Sequence, residues 1–343
     1  MTLTFITCSH NQVQYLERCI MSIINQSLPF EYEILLSDDN STDGSWELAL
    51  KMAEKYPQIK PIRCNTNEYP HYTTSQRSGY NRQCAYKYAM GEYICFVDAD
   101  DYYKDGTRVL QKLWELLESN PSCAAAMTNN WVVEDGASKD TMTYQDKQFT
   151  FQTGQIITPE DYINRHVFRS VTAFMFRRLE KEDVPISYLK GFYIDTVIAA
   201  YYMQFGDIVC LDDVESGYVY VQYKKSASHV DKYTIGDWAI WGSRCIYIPA
   251  LMPYWKPIFL QSRGYRGSML FVTKRVLKAR TFDPEIIGMF EDLDVWIYKL
   301  TARKRTFTDS CRLFVLEQLI RYTQYVPFHG KWCYDLIWKL IAE

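Results

Sequence analysis

The chain of 343 residues has an apolar fraction of 48% and a charged fraction of 23%, which excludes an intrinsically disordered protein and allows one large domain or two smaller ones. The net charge of −3 at pH 7 gives no support for nucleic acid as a partner. The segment from residue 245 onward is nevertheless basic, whereas the rest is acidic. This asymmetry predicts that the C-terminal segment faces a different partner from the one that the first part binds.

Ten cysteines are spread along the chain without Cys-x-x-Cys pairs, and several lie in apolar segments. Such a pattern is typical of reduced, buried thiols in a cytoplasmic protein. The first residues lack the basic and apolar stretches of a signal peptide, and no apolar run reaches the length of about 18 residues that a membrane-spanning helix needs. We therefore expect a cytoplasmic protein, with association at the inner face of a membrane as the alternative.

Predicted strands and helices alternate in the first hundred residues. The pattern indicates strands over residues 3–7, 32–36, 60–64 and 93–97, and helices over 15–24, from 46 onward and over 82–90. Residues 8–11 are expected to form a polar turn, and Ser41 or Asp43 is expected to cap the helix that begins near Trp46. This alternation predicts an α/β fold with a mostly parallel sheet and helices on both faces.

The apolar run over residues 93–97 ends on three carboxylates, those of Asp98, Asp100 and Asp101. An unbroken apolar run is typical of a buried strand, and ligands of open α/β sheets bind at the carboxyl ends of such strands. If the extended geometry persists, Asp98 and Asp100 point the same way, and a hard cation such as Mg²⁺ or Mn²⁺ would compensate their charges. A solvated acidic turn is the alternative interpretation.

A second predicted strand ends on acids, at Asp38 and Asp39. Both acid-ended strands would bring their carboxylates to one edge of the sheet, beside the polar turn that follows the first strand. These groups would line a cleft rich in hydrogen-bonding atoms. Because a carboxylate accepts well from a base N–H or a ribose hydroxyl, the pattern favours a nucleotide, with the cation over its diphosphate.

Further along, a helix is predicted over residues 107–117, a strand over 123–133 and another over 171–176. Residues 134–150 are polar and are expected to form a loop. A last helix of this part is predicted over 196–205, with Gly206 as its C-cap.

The sequence changes character after residue 237, so we expect an α/β domain over 1–237 and a helical region over 238–343. Apolar residues recur at helical spacing in 313–320 and 332–341, and lysines and arginines cluster in 274–280 and 303–305. These helices would either dock on an anionic membrane or pack against their own protein or a second copy in a homodimer.

Three ordered segments, over 7–24, 38–45 and 91–101, resemble the signatures of family 2 glycosyltransferases of the GT-A fold. The resemblance implies a Rossmann-like nucleotide-diphospho-sugar transferase domain that inverts the anomeric carbon. The donor would be a nucleotide sugar, expected to be a UDP-sugar, and the acceptor a hydroxyl of a glycan or lipid-linked molecule in surface polysaccharide synthesis. Since the Gln-x-x-Arg-Trp signature of processive synthases is absent from the sequence, one sugar would be added per encounter.

The resemblance also assigns the residues that would bind the nucleotide sugar. Asp39 would accept from the nucleobase, His10 would lie against it, and Asp98 would hold the ribose. Arg82 would pair with the first acids or with phosphate, although a helix-surface charge is the alternative. The same set includes three residues of the first polar turn, namely Cys8, Ser9 and Asn11.

Metal and catalytic roles are likewise implied by the resemblance. Asp100 would bind Mn²⁺ or Mg²⁺, and His229 would complete the metal shell or touch phosphate, unless it is a loop histidine without a role. Asp195 is the candidate base, since inverting transfer needs a carboxylate within reach of the acceptor hydroxyl. The alternative for Asp195 is a helix N-cap, and the alternative for the whole protein is a non-catalytic, nucleotide-sugar-binding assembly subunit.

Overall fold

The computed structural model describes residues 1–26, 28–68, 74–104, 106–136, 142–144, 151–164, 170–179, 194–213 and 217–222, together with 311, 314, 315 and 318. The described strands are β1 (Leu3–Ser9), β2 (Tyr32–Asp39), β3 (Ile59–Cys64), β4 (Tyr93–Asp98), β5 (Tyr102–Tyr103), β6 (Cys123–Thr128), β7 (Asn130–Glu134), β8 (Thr143–Tyr144), β9 (Ile156–Ile157), β10 (Phe174–Arg177), β11 (Asp207–Leu211) and β12 (Tyr218–Gln222). The described helices are α1 (Val13–Ile24), α2 (Ser45–Lys55), α3 (Thr74–Tyr86), α4 (Val109–Glu118), α5 (Pro159–Asn164) and α6 (Ile194–Tyr202).

An eight-stranded sheet has the order β3-β2-β1-β4-β10-β6-β11-β9. Strands β3, β2, β1 and β4 run parallel, and β6 pairs in parallel with β11. Strand β10 is antiparallel to both of its neighbours, and β9 is antiparallel to β11. The prediction of a mostly parallel sheet flanked by helices is confirmed.

The burial of β1 and α1 explains why this part of the chain folds as it does. All seven residues of β1 are buried, as expected for an inner strand covered on both faces. Helix α1 buries the side chains that recur every three or four residues, and each contributes about 1.5–3 kcal/mol of hydrophobic stabilisation. The buried apolar residues of this stripe are Tyr15, Leu16, Cys19, Ile20 and Ile23.

A second, four-stranded sheet has the order β5-β12-β7-β8. The prediction of one continuous strand over residues 123–133 was wrong, because the chain leaves the large sheet after Thr128 and enters the small sheet at Asn130. The residue between, Asn129, is buried and donates from its side chain to Asp212 Oδ1 at 3.0 Å. Its carbonyl packs against Gly217, where a Cβ would lie 2.8 Å from that oxygen.

Several predicted boundaries also differ from the structure. The helix expected over residues 82–90 is α3, which begins earlier and ends at Tyr86, and the strand expected over 171–176 opens with a helical turn, Val171–Ala173. The helix expected over 196–205 is α6. Gly206 does not cap it but allows close approach of another strand, since a Cβ there would lie 2.3 Å from the Ser122 carbonyl oxygen. Part of the polar loop expected over 134–150 is strand β8.

The chain divides into two compact units, one formed by residues 1–70, 74–158 and 167–230 and the other by 71–73, 159–166 and 231–343. Both sheets belong to the first unit. The described residues of the second unit are α5 and the four positions near the C-terminal end. The basic clusters and most of the helical region predicted after residue 237 lie outside the described residues, and that division stays a prediction.

The described cysteines are all free, and most of them are buried in strands or helices. This agrees with the expected buried thiols. Within the described ranges, the longest apolar helix falls short of what a bilayer crossing requires.

Glu33 provides a test of stability against pH. Its buried carboxylate accepts from Thr4 Oγ1 at 2.7 Å, from Met90 N–H at 2.8 Å and from Lys60 Nζ at 2.7 Å. Burial raises the pKa of Glu33, but these donors outweigh it and hold the pKa below the ordinary value of 4.5. A lowered folded-state pKa stabilises the protein above the unfolded-state pKa, and this stabilisation disappears as the pH falls through the folded-state value.

We therefore expect Glu33→Gln to lower the free energy of unfolding by about 2 kcal/mol at pH 7. The difference from wild type should shrink as the pH falls below the ordinary value of 4.5. Urea unfolding at a series of pH values measures both quantities. A difference that stays constant down to the acid limit would show that the charge of Glu33 is not what stabilises the fold.

Candidate functional site

Strand β1 lies between the two acid-ended strands. Its Ser9 is paired with Asp38 of β2, and its Cys8 is paired with Asp98 of β4. The carboxyl ends of β2 and β4 therefore meet at one edge of the sheet on either side of β1, as the sequence predicted. This edge, with the loops that leave it, is the candidate site.

Cys8 and Ser9 are strand residues, so the expected turn at these two positions was wrong. Cys8 pairs with both neighbouring strands and Ser9 still pairs with β2, so the backbone stays extended, and both side chains are buried. Burial raises the pKa of the Cys8 thiol far above its ordinary value, although the Arg82 charge acts in the opposite direction. Cys8 is thus a neutral thiol at the centre of the edge, and its contact with nucleotide stays a prediction.

The turn after β1 is fastened to the loop after β2 by His10 and Asn11. His10 Nδ1 lies 2.6 Å from the Asp39 carbonyl oxygen, so this nitrogen donates, and Nε2 can accept from the Asn11 amide at 3.2 Å. Asn11 N–H donates to Ser41 Oγ at 2.8 Å, and Asn11 Oδ1 accepts from Thr42 N–H at 2.9 Å. Asn11 adopts a left-handed φ of 53°, which asparagine tolerates better than most residues.

Asp43 joins the starts of two helices. Its carboxylate accepts from Ser45 N–H at 3.0 Å, in the first turn of α2, and from Val13 N–H at 2.9 Å, in the first turn of α1. Burial raises the pKa of Asp43, but the hydrogen bonds outweigh burial, so the pKa lies below its ordinary value. The N-cap of α2 is Gly44, so neither predicted capping residue occupies that position. Asp43 still contacts the first turn of the helix, whereas Ser41 accepts from Asn11.

The carboxylate of Asp39 is held by Thr66, which the sequence did not single out. Thr66 N–H donates to Asp39 Oδ1 at 2.8 Å, and Thr66 Oγ1 donates to Oδ2 at 2.5 Å. Both residues are buried. Because each carboxylate oxygen has two lone pairs, Asp39 can still accept from a ligand while its orientation is fixed. One feature of the sequence could have indicated Thr66: it follows β3, and β3 is a third strand that ends at the same edge.

The carboxylate of Asp38 has other hydrogen-bond partners than that of Asp39. Its Oδ2 accepts from Arg63 Nη1 at 2.6 Å and from Ser41 N–H at 3.0 Å. The Arg63 guanidinium in turn lies 4.9 Å from the centre of the Trp46 ring. Asp38 therefore fixes the loop after β2. Asp39, in contrast, is oriented by the neutral donors of Thr66.

Helix α3 supplies two buried polar side chains behind the edge. Arg82, only 3% exposed, forms an ion pair with Asp98, so it is not a helix-surface charge. Asn81 was missed by the sequence analysis. Its amide donates to the carbonyl oxygens of Ser37 at 3.1 Å and Ser9 at 3.3 Å, which fastens the ends of β1 and β2 to the helix.

The three acids that follow β4 have different surroundings. Asp98 pairs with Arg82, and its N–H donates to Thr172 Oγ1 at 3.2 Å. Asp100 is half-buried in the turn, and its carbonyl oxygen accepts from Arg18 at 3.2 Å. Asp101 is fully buried, and its carboxyl accepts from Val221 N–H at 3.2 Å. Burial first, and then the charges of Asp100 and Asp98, raise the pKa of Asp101 well above its ordinary value.

Asp100 is the predicted metal ligand, and Asp98, which the resemblance assigns to the ribose, is the other carboxylate whose charge a shared cation would compensate. The described residues contain no group of three or more histidine, cysteine or acidic side chains arranged to hold an ion. Mg²⁺ commonly binds through one or two carboxylates together with substrate phosphates, so a site with few protein ligands is the kind that the prediction requires. His229, the predicted additional ligand, lies outside the described residues.

Asp195 lies in the first turn of α6, which begins at Ile194. The helix packs beside the turn Val171–Ala173. That turn contains Thr172, whose hydroxyl accepts from the Asp98 N–H. The helix that carries the predicted base is thus next to the turn that fixes Asp98, while the role of Asp195 itself stays a prediction.

Thr66→Val tests whether the orientation of Asp39 matters for donor binding. Valine keeps the shape and the backbone N–H of Thr66 but removes the hydroxyl that donates to Asp39 Oδ2. Losing a group that orients a ligand-binding side chain commonly weakens binding by about tenfold or more, so we expect the KM for the donor to rise roughly tenfold. The kcat should change little, because the contact is equally present in the transition state.

Steady-state kinetics with varied donor measures this split for Thr66→Val. Thr107→Val is the matched control, since its hydroxyl donates to the Lys104 carbonyl oxygen at 2.8 Å and contacts neither Asp39 nor another described residue of the candidate site. Equal KM values for Thr66→Val and wild type would contradict the assignment of Thr66 as a positioning residue.

Residues 4–182 match the model of the family described as Glycosyl transferase family 2. A stretch of 123 residues is 33% identical to a poly(ribitol-phosphate) beta-glucosyltransferase of Bacillus spizizenii, covering 36% of this chain and 18% of the relative. A stretch of 108 residues is 32% identical to the poly(ribitol-phosphate) beta-N-acetylglucosaminyltransferase TarS of Staphylococcus aureus, covering 31% and 18%. These matches therefore span about a fifth of each relative.

A crystal structure of residues 1–349 of S. aureus TarS in complex with UDP-GlcNAc has a TM-score of 0.50 to this chain at 18% identity. The superposition covers 94% of this chain and 79% of that one. At this identity the likeness shows the fold alone, and it confirms the GT-A fold expected from the sequence.

Proposed function

The chain belongs to glycosyl transferase family 2, and from this premise we propose that it transfers a sugar from a nucleotide-diphosphate donor to an acceptor hydroxyl, with inversion at the anomeric carbon. The observation that carries the proposal is the register of β1, which aligns Ser9 with Asp38 and Cys8 with Asp98. This register puts the acids of β2 and β4 at the edge where open α/β sheets bind nucleotides.

In the proposed complex, Asp39 accepts from the nucleobase N–H and Asp98 accepts from the ribose. The support for Asp39 is its fixed orientation, with Thr66 holding both oxygens and leaving lone pairs for the base. His10 lies against the base, and its ring is held by the Asp39 carbonyl oxygen. Since the structure of S. aureus TarS contains UDP-GlcNAc, we propose a UDP-sugar as the donor.

We further propose that Asp100, with Asp98 and His229, holds Mn²⁺ or Mg²⁺ beside the diphosphate. When bound, such an ion stabilises the negative charge that develops on the leaving diphosphate. The Arg18 contact to the Asp100 carbonyl oxygen helps to hold the turn in place for this role. Arg82 partly neutralises Asp98, which lowers the cost of keeping two carboxylates close together.

Asp195 is the proposed general base. Its carboxylate takes the proton from the acceptor hydroxyl, the hydroxyl oxygen forms a bond to the anomeric carbon, and the bond from that carbon to the diphosphate oxygen breaks. Attack from the face opposite the leaving group inverts the configuration. General-base catalysis contributes about 10²–10⁴-fold to such a rate.

For the acceptor we propose a glycan or lipid-linked precursor of a surface polymer. The support comes from the relatives in B. spizizenii and S. aureus, which are named as poly(ribitol-phosphate) glycosyltransferases.

A thermal-shift screen of nucleotide sugars with Mn²⁺ tests the proposed donor. A ligand at one hundred times its Kd stabilises the folded state by about 2.7 kcal/mol, which gives a clear rise in Tm. We expect UDP-sugars to raise Tm and then to release UDP when an acceptor is added. A UDP-sugar that raises Tm, but from which no surface-polymer acceptor causes release of UDP, would indicate a binding subunit and not an enzyme. If no nucleotide sugar raises Tm, the proposed nucleotide-sugar site is contradicted.

A further inference from the structure

Two thiols lie in contact behind the candidate site. Cys64 Sγ donates to Cys84 Sγ across 3.0 Å. Cys64 is the last residue of β3 and is 2% exposed, whereas Cys84 lies in α3 and is half-buried. Twenty positions separate these residues in sequence, so the fold, and not chain proximity, brings the thiols together.

The thiol pair connects the two elements that hold the site carboxylates. Cys64 comes two residues before Thr66, whose N–H and hydroxyl fix Asp39. Cys84 comes two residues after Arg82, which pairs with Asp98. A covalent bond between the sulfurs would therefore tie the end of β3 directly to α3.

The surroundings of the pair give the two sulfurs different reactivity. The hydrogen bond from Cys64 and the charge of Lys87 lower the pKa of Cys84. The same hydrogen bond and burial raise the pKa of Cys64. Since the thiolate is the nucleophile, Cys84 reacts first, and its partial exposure gives a small oxidant access.

We propose that Cys64 and Cys84 form a reversible oxidation site for hydrogen peroxide, closed as a disulfide between β3 and α3. The Cys84 thiolate attacks one peroxide oxygen, the O–O bond breaks with release of hydroxide, and a sulfenic acid forms. Cys64 sulfur then attacks the Cys84 sulfur, and the S–O bond breaks with release of water. In total, two thiols lose two electrons and two protons, and one peroxide is reduced to two waters.

The geometry favours this disulfide. A disulfide has an S–S length of about 2.05 Å, so the sulfurs need to approach by roughly 1 Å from their hydrogen-bonded separation. Closing a loop of this length restricts the unfolded chain and is expected to raise Tm. The proposal does not rest on the proposed sugar transfer, because both of its readouts are chemical or thermal.

The test treats the reduced full-length protein with a stoichiometric series of hydrogen peroxide. The protein is then alkylated with N-ethylmaleimide in denaturant and digested without reductant for mass spectrometry. We expect a peptide linked through Cys64 and Cys84, loss of alkylation at both positions, and a higher Tm, all reversed by dithiothreitol. Cys64→Ser and Cys84→Ser should each abolish the linked peptide and the Tm rise.

Cys123→Ser, which removes another buried thiol, should behave as wild type in this experiment. The exposed Cys311 reports independently that the oxidant reaches the protein. Full alkylation of Cys64 and Cys84 at doses that oxidise Cys311 would overturn the proposal. Conversion of Cys84 to sulfinic acid without the linked peptide would overturn it as well.

Discussion

Replacing Asp195 with asparagine is expected to lower the kcat of sugar transfer by about 10²–10⁴-fold. Asparagine has nearly the same shape, but it cannot take the proton from the acceptor hydroxyl. Donor affinity should stay unchanged, because the proposed donor contacts come from the carboxyl ends of β2 and β4 and not from α6. Transfer assays combined with donor titration measure the two effects separately.

The matched control for Asp195→Asn is Glu47→Gln. Glu47 is an exposed acid in the first turn of α2, so this change also removes a charge that favours a helix N-terminus. We expect Glu47→Gln to transfer sugar at the wild-type rate. If Asp195→Asn also kept the wild-type kcat, Asp195 would not be the base, although the nucleotide site would stand.

Arg82→Met is expected to have the largest effect on stability. Methionine keeps the apolar stem but removes the guanidinium, which leaves Asp98 without its buried partner. Removing one partner of a buried ion pair costs about 3–5 kcal/mol, and we expect the lower end because the Asp98 side chain is 29% exposed. Urea unfolding measures the loss, and the donor Kd should rise as Asp98 loses its orientation.

A double-mutant cycle separates the ion pair from simple packing around Arg82. Asp98→Asn in the Arg82→Met background removes the uncompensated charge, so we expect the double variant to be more stable than Arg82→Met alone. Additive losses from the two changes would show that the pair contributes no coupling energy.

The sequence predicted the acid-ended strands well because their signals are local. The apolar residues before Asp98 and before Asp39 each predict a buried strand, and the acids mark the point where that strand ends. Parallel pairing then requires both ends to meet at one edge, and the register of β1 confirms this. The position of the site thus follows from periodicity and topology together.

Thr66 and Asn81, which hold the edge in place, were not found from the sequence, because they come from distant parts of the chain. Thr66 reaches Asp39 from the end of β3, and Asn81 reaches the ends of two strands from α3. The change of sheet at Asn129 was equally hidden, since the residues on both sides of it have strand-like patterns. Both kinds of feature depend on tertiary packing, which overrides local propensity.

Asp101 illustrates how burial gives different roles to residues of the same type. It stands beside Asp100 in sequence, yet its side chain is fully buried and accepts from a backbone N–H of β12. The pattern of three acids predicts a cluster of charge, whereas the structure gives one ion-paired acid, one half-buried acid in the turn and one buried structural acid. Which acid faces a ligand is decided by the neighbouring strands.

Calorimetric titration of a UDP-sugar, with Mn²⁺ present, into wild type and Asp39→Asn tests most directly whether the edge formed by β1, β2 and β4 is the donor site. We predict one binding site per chain in wild type. The Kd of Asp39→Asn should be at least about tenfold higher, since a charged hydrogen bond of about 1.5–3 kcal/mol is lost. Glu47→Gln should bind as wild type does. Equal affinity of Asp39→Asn and wild type would contradict the placement of the nucleotide at this edge.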